Sequence, residues 1–167
     1  MSEPHQMAMS QPGIGLSYSL IPSSSWRTLF SYSAMALAAV QAHYDANPLV
    51  PPSPAELLAG AKDPAVLELG AARFARTCAS CHGERAQGLI GPNLTDERWI
   101  HGGTVEQIFQ SVAKGWPAKG MPPWGRAVKP EELSALVSYV RSLQGSNPPN
   151  ARAPEGDRVV PEPIPGH

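Results

Sequence analysis

Apolar residues recur at helical spacing in three stretches of this sequence, and each stretch opens with a helix-start signal. The first follows Asp63-Pro64, where the aspartate suits the N-cap and the proline suits the first helical position. The residues that recur at helical spacing along this stretch are Val66, Leu67, Gly70, Phe74 and Thr77. This spacing predicts a helix that begins at residue 64 and runs directly into Cys78.

The second and third stretches lie further along the chain. Thr104-Val105-Glu106-Gln107 is a capping-box pattern, and it predicts a helix that ends near Gly115. Pro130-Glu131-Glu132 begins the third helix, because acidic residues suit the positive N-terminal end of a helix, and Gly145 ends it. The predicted apolar faces are Val105, Ile108, Phe109 and Val112 in the second helix and Leu133, Leu136, Val137, Val140 and Leu143 in the third.

Between these helices the sequence predicts loops at residues 83–103 and 115–125, where glycine and proline are frequent. Gly70 is small enough for another helix to approach closely. We expect Phe74 and Tyr139 to pack where the first and last helices cross. The predicted fold is therefore a small all-α domain with flexible extensions.

The predicted segments are a leader at 1–42, a proline-rich linker at 43–60, the folded domain at 61–145 and a proline-rich disordered tail at 146–167. In the leader, the apolar run Thr28–Val40 follows Arg27 and precedes Ala42, as in a secretory signal that is cleaved near that alanine. The alternative is an uncleaved membrane anchor, although the run is shorter than the roughly 18 apolar residues of a membrane span. Both alternatives place the domain outside the cytoplasm.

The formal net charge of the 167 residues is −1, which argues against a nucleic-acid partner. Basic residues are nevertheless concentrated locally, with no acidic residue between Gln107 and Pro130. The residues of this basic bias are Lys114, Lys119, Arg126 and Lys129, with Arg73, Arg76 and Arg85 near Cys78. Two interpretations stay open: a surface that steers an acidic partner, or chance clustering of solvated side chains.

The segment Cys78-Ala79-Ser80-Cys81-His82 has the pattern C-x-x-C-H, which is typical of covalent attachment of a c-type haem. Two thiols at this spacing each add to a haem vinyl group, and the adjacent His82 binds the iron. These are the only cysteines in the sequence. A redox dithiol and a zinc site are the alternatives, but zinc needs four ligands and the sequence has no second Cys or His pair.

Met121 is the predicted second ligand of the iron. It lies in Gly120-Met121-Pro122-Pro123-Trp124, where the prolines hold the thioether in place. His and Met ligation raises the reduction potential and suits electron transfer. Met121 as a gap-filling hydrophobe and His101 as a competing ligand are the less favoured alternatives.

The set Cys78, Cys81, His82, Gly91-Pro92-Asn93-Leu94 and Met121-Pro122 resembles class I cytochrome c over about residues 62–145. The pattern that also includes Trp99, Gly102-Gly103 and Trp124 is similar to the haem c domains of subunit III in cbb-type haem–copper oxidases. The resemblance implies that the Pro92 carbonyl accepts a hydrogen bond from His82, the kind of second contact that tunes a ligand. It also implies that Trp99 and Trp124 line the haem. Trp99 or Arg98 would then lie near a propionate.

These patterns predict a periplasmic protein with one covalent haem c that carries single electrons between a redox donor and acceptor, rather than an enzyme. One alternative is a fixed electron-entry subunit of a terminal oxidase or another respiratory complex. Another is a haem sensor that binds ligands when a labile Met121 leaves the iron. Membrane association through an uncleaved N-terminus also stays open.

Overall fold

The structure is a computed structural model that describes residues 48–164 and, before them, residues 34–36, 38, 39, 41–43 and 46. The chain divides into two compact units, residues 1–48 and 49–167. The described residues before Pro48 are helical, whereas most of the predicted leader lies outside the described residues. Among the helices that are described, none has the length and apolar character to cross a membrane.

The second unit contains five α-helices and one 3₁₀ helix among its described residues. They are α1 (Pro54–Gly60), α2 (Pro64–Thr77), α3 (Ala79–His82), α4 (Val105–Lys114), the 3₁₀ helix (Pro117–Lys119) and α5 (Pro130–Ser142). Two short strands, β1 (Arg98–Trp99) and β2 (Asp157–Arg158), pair with each other. The three helices predicted from the apolar spacing are α2, α4 and α5, and their existence is confirmed.

The starts of the long helices follow from their capping residues. Asp63 accepts a 2.9 Å hydrogen bond from the amide of Ala65 at the start of α2. At the start of α4, Thr104 and Gln107 cap each other's backbone amides, as the capping-box pattern predicted. The helix α5 ends at Ser142, earlier than predicted, and Gly145 follows it in the left-handed region with φ of 87°.

The helices α2 and α5 cross at Gly70, as the sequence predicted. A Cβ atom on this glycine would lie 2.2 Å from the Ala135 carbonyl oxygen, so no other residue allows this approach. Phe74 and Tyr139 meet edge to face nearby, with ring centroids 5.6 Å apart. The close crossing brings the end of α2, and with it Cys78, against the apolar core. That core consists mainly of Leu57, Phe74, Val105, Ile108, Phe109, Leu133, Leu136, Val137 and Val140.

The predicted proline-rich linker at 43–60 is wrong for its second half, because α1 lies there. Ser53 and Glu56 form a capping box, and Pro54 occupies the first turn, where proline starts a helix rather than stiffening a linker. Leu57 is buried, and its carbonyl oxygen accepts a 2.9 Å hydrogen bond from the Ser138 hydroxyl on α5. The folded unit therefore begins before residue 61.

The predicted disordered tail is wrong for residues 146–164, which run along the domain. Residues 150–164, here called the C-terminal strap, include β2, which pairs antiparallel with β1 and adds a small sheet to the expected all-α fold. Glu162 accepts a 2.9 Å hydrogen bond from the amide of Val105 at the start of α4. Proline-rich composition suggested disorder, but the residues between the prolines satisfy backbone groups of a helix start and of the 83–103 loop.

Candidate functional site

One cavity of about 450 Å³ brings together all six residues that the sequence analysis assigned to a cofactor site. They are Cys78, Cys81, His82, Pro92, Trp99 and Met121. The volume lies within the roughly 300–1,000 Å³ typical of cofactor and ligand pockets. The end of α2, α3, the 83–103 loop and the 115–125 loop each contribute to its wall.

The cysteines occupy a single helical turn at the end of α2. Cys78 is the C-cap of α2, and the His82 amide donates a 2.9 Å hydrogen bond to the Cys78 carbonyl oxygen across α3. Residues three apart on a helix lie on the same side, so Cys78 and Cys81 both line the cavity. Both thiols are free and half-buried.

The thiol environment disfavours the two alternatives to haem attachment. Burial raises the pKa of the Cys78 thiol, whereas a redox dithiol needs a lowered one. In the part of the chain that the structure describes, no group of three or more His, Cys, Asp or Glu side chains could hold a metal ion. A tetrahedral zinc site therefore lacks ligands among these residues.

The ring of His82 is held by two contacts. Its Nδ1 atom lies 2.9 Å from the Pro92 carbonyl oxygen, and a carbonyl can only accept, so Nδ1 carries the proton and Nε2 keeps its lone pair. Gly91 lies flat against the ring, because a Cβ atom there would be 2.8 Å from Cε1 of His82. Burial lowers the pKa of His82, which favours the neutral form that binds a metal.

Met121 is fixed by its own backbone. Its carbonyl oxygen accepts a 2.8 Å hydrogen bond from the amide of Trp116, and its amide donates a 3.2 Å bond back to the Trp116 carbonyl. The 3₁₀ helix and Gly120, at φ of 85°, close the loop between these two residues. The Trp116 ring stacks on the ring of His101 at a centroid distance of 3.6 Å, and both residues line the cavity.

The indole of Trp99 presents an unsatisfied donor. Its Nε1 atom is buried and has no hydrogen-bond partner among the described residues. Gly103 packs against the ring, since a Cβ atom there would lie 2.4 Å from Cδ1. Trp124 also lines the cavity. Arg98 does not: its guanidinium donates to the Gly156 carbonyl oxygen, 3.1 Å away.

Several residues that line the cavity were missed by sequence reasoning. Ile90, Ile100 and Trp116 are exposed apolar side chains on its wall, and Arg152 and Glu155 reach it from the C-terminal strap. The two isoleucines lie in irregular loops where no period marks a face. Arg152 and Glu155 lie in a proline-rich segment that the sequence predicted to be disordered, so no local signal identified them.

A helical domain in which a C-x-x-C-H turn, a histidine-orienting carbonyl and a methionine loop share one cavity defines a c-type cytochrome domain. Residues 65–140 match the family described as cytochrome c oxidase, cbb3-type, subunit III. This segment of the chain is similar to that family of haem c domains. The match excludes α1 and the C-terminal strap.

The relatives are named as oxidase subunits. The chain is 45% identical over 95 residues to the cbb3-type cytochrome c oxidase subunit CcoP of Rubrivivax gelatinosus, covering 56% of this chain and 30% of that protein. It is 37% identical over 140 residues to subunit FixP of Bradyrhizobium sp. strain ORS 278, covering 73% of this chain and 48% of that protein. The chain thus spans less than half the length of these relatives.

Among solved structures, cytochrome cL of the marine methylotrophic bacterium Methylophaga aminisulfidivorans aligns with a TM-score of 0.46. The aligned residues are 24% identical, and the alignment covers 50% of this chain and 57% of that one.

Proposed function

We propose that this domain holds one covalent haem c and passes single electrons into a cbb3-type terminal oxidase as its electron-entry subunit. The observation that carries the proposal is the shared cavity, in which Cys78, Cys81 and His82 from one helical turn meet Met121 from a distant loop. The names of the relatives favour the oxidase subunit over the freely diffusing periplasmic carrier that the motifs alone first suggested.

The residues present fit a haem. The thiols of Cys78 and Cys81 are free to form the two thioether bonds, and Nε2 of His82 is free to bind the iron. The unsatisfied Nε1 of Trp99 suits a haem propionate, which would accept its hydrogen bond. When bound, haem supplies a one-electron redox couple between ferrous and ferric iron.

The protein's part would be to hold the two candidate iron ligands, His82 and Met121, still. The Pro92 carbonyl and Gly91 fix the orientation of the His82 imidazole, while the Trp116–Met121 backbone pair fixes the loop that carries the thioether. A rigid pair of ligands limits reorganisation between oxidation states. The same rigidity disfavours the sensor alternative, which needs Met121 to leave the iron readily.

Electrons would enter and leave at the rim of the cavity. Ile90, Ile100 and Trp116 line the cavity and are exposed, with relative exposures of 81%, 48% and 39%. Lys119 lines the same cavity. An apolar rim with a basic residue suits a redox partner that has an acidic docking surface. The C-x-x-C-H pattern favours a periplasmic location for this exchange, because bacterial haem attachment takes place there.

The test is to purify the full chain through a C-terminal tag from membranes of its own cells, solubilised in mild detergent. An entry subunit co-purifies in constant ratio with the catalytic oxidase subunits, and the purified complex consumes oxygen when electrons are supplied. Haem-loaded chain recovered alone, in the soluble fraction and without oxidase activity, would point instead to the diffusing carrier.

A further inference from the structure

Arg152 in the C-terminal strap contacts the loop behind His82. Its Nη1 atom donates to the carbonyl oxygens of Leu89, Ile90 and Gly91, at 3.1, 2.9 and 3.4 Å. Its Nε atom lies 2.8 Å from a carboxylate oxygen of Glu155, which holds the guanidinium in this orientation. A single side chain therefore caps three successive carbonyls of one irregular loop.

Both backbone polar groups of Arg152, its amide and its carbonyl, also form hydrogen bonds with this loop. Its amide donates a 2.8 Å hydrogen bond to the Gln87 carbonyl oxygen, and its carbonyl oxygen accepts a 3.4 Å bond from the Asn93 side chain. The chain also passes close to Gly88, where an added Cβ atom would lie 2.9 Å from Cβ of Arg152. The strap thus spans the loop from residue 87 to residue 93.

This loop is the part of the protein that orients the proximal imidazole. It carries Gly91, which lies flat against the His82 ring, and Pro92, whose carbonyl oxygen accepts from Nδ1. On its inner side, the amide of Gly91 is tied to the Cys81 carbonyl oxygen at 2.8 Å. Arg152 supplies a second tie, through the carbonyl oxygens of Leu89, Ile90 and Gly91.

We propose that Arg152 is a positioning residue for His82: by clamping residues 89–91, it sets the strength of the hydrogen bond between Nδ1 of His82 and the Pro92 carbonyl. The inference rests on the proposed role of His82 as the proximal haem ligand. It extends the site beyond residues 65–140, the segment that matches the family. Contacts around a ligating histidine commonly tune the metal that it binds.

The direction of the effect follows from the basicity of the ligand. A firm hydrogen bond from Nδ1 makes the imidazole a stronger donor and favours ferric iron. A loosened loop weakens that bond, so the reduction potential should rise when the clamp is lost. Loss of the positive charge of Arg152 alone would act oppositely, because a nearby cation disfavours the ferric state.

The experiment measures the reduction potential of the full-length haem protein for the wild type, Arg152→Gln and Arg158→Gln. Arg158 lies in the same strap and pairs with Glu97, so its variant removes an equal charge without touching residues 87–93. The titrations are run in about 1 M salt, where the Debye length is about 3 Å and charge effects are largely screened. Amide exchange of Gly91 is followed in the same samples.

In Arg152→Gln the reduced-to-oxidised ratio at fixed ambient potential should rise about threefold to tenfold, a tenfold change being about 59 mV for one electron. Exchange of the Gly91 amide should also accelerate, while Arg158→Gln matches the wild type in both respects. Equal potentials and equal exchange in all three proteins would overturn the inference.

A lower reduction potential in Arg152→Gln would also overturn the inference. That result would mean that Arg152 acts on the iron through its positive charge and not through the loop. If Arg152→Gln yields no folded holoprotein, the reduction potential of Arg152→Lys is measured instead. Lysine keeps the charge, but its shorter side chain cannot reach both Glu155 and the loop. It should still raise the ratio, and a wild-type value would contradict the clamp. Intact mass tests the proposed haem binding separately. If the wild-type chain carries no bound haem, the proposed function fails, whatever the role of Arg152.

Discussion

The Nδ1 atom of His82 and the carbonyl oxygen of Pro92 lie 2.9 Å apart, although ten residues separate them in the chain. This contact fixes the tautomer of the imidazole and leaves Nε2 directed away from the loop as a potential ligand. The contact was expected from the resemblance to class I cytochrome c, and the structure contains it. The glycine that precedes Pro92 makes the contact possible, because its missing side chain lets the loop approach the His82 ring.

The substitution Gly91→Ala should disturb the orientation of His82. The added methyl group would lie 2.8 Å from Cε1 of the ring, so either the ring or the loop must move. We expect a loss of about 1–3 kcal/mol in the free energy of unfolding, together with a changed ferric absorption spectrum. Gly145→Ala is the control, because nothing lies within 4 Å of its added carbon, so only backbone strain of about 1 kcal/mol is expected.

For Gly91, the ferric spectrum is the decisive measurement. Both alanine variants should lose some stability, but only Gly91→Ala should change the spectrum. Identical spectra for the two variants would mean that the close approach of Gly91 does not orient the ligand.

The substitution Met121→Leu should remove the second axial ligand while keeping the side-chain volume. Leucine offers no sulfur, so the ferric spectrum should change from six-coordinate low-spin to high-spin, and the weak near-infrared band of methionine ligation should disappear. Volume-conserving exchange should cost less than about 1.5 kcal/mol of stability. Met121→Ala should give the same spectrum at a larger stability cost of about 2–5 kcal/mol.

An unchanged low-spin spectrum in Met121→Leu would contradict ligation by this methionine. His101 is then the alternative, because it lines the same cavity and stacks on Trp116. The double variant Met121→Leu with His101→Ala would identify it, since only that protein would become high-spin.

The substitution Gly70→Ala should destabilise the crossing of α2 and α5, although alanine is the better helix former. Its Cβ atom would lie 2.2 Å from the Ala135 carbonyl oxygen, which is rigid backbone. We expect a loss of about 1–3 kcal/mol in urea unfolding. The control Ala75→Gly reverses the exchange at an exposed position of the same helix and should cost about 1 kcal/mol through helix propensity alone.

If Gly70→Ala instead stabilised the protein, helix propensity would outweigh the crossing, and the close contact would have no energetic role. The two variants therefore separate packing from propensity within one helix.

The substitution Lys119→Gln should slow association with an acidic redox partner. Lys119 lines the cavity where electrons are proposed to enter, so its charge acts at the docking rim. We expect a twofold to fivefold lower second-order rate at low salt and a shallower dependence of that rate on salt. Lys62→Gln is the control, because Lys62 does not line the cavity.

Not every basic residue of the predicted cluster is equally available to a partner. Arg73 pairs with Glu132 at 3.0 Å, which reduces its contribution to steering. Equal rates for Lys119→Gln, Lys62→Gln and the wild type at all salt concentrations would favour chance clustering over steering.

Local signals sufficed for much of the fold. Asp63, Thr104 and Pro130 mark three helix starts within a few residues of the helices that they begin, and the structure bears them out. The C-x-x-C-H turn was recognisable because its residues are adjacent. The short helix α1 carries an equally local signal in Ser53 and Glu56, which the surrounding prolines obscured.

The remaining features depend on contacts between distant parts of the chain. Glu162 caps the Val105 amide 57 positions away, and Arg152 reaches the Gly91 carbonyl 61 positions away. Neither residue belongs to a periodic pattern, so the C-terminal strap could not be told from a solvated tail. The stack of His101 on Trp116 was hidden for the same reason, since both residues lie outside the periodic helices.

Intact mass of the full chain, produced with periplasmic haem maturation, tests the central claim most directly when it is compared with the double variant Cys78→Ser, Cys81→Ser. We expect the wild type to carry the mass of one haem through denaturation, whereas the double variant should carry none. Wild-type protein with no covalent haem, or haem retained after both thiols are removed, would contradict it.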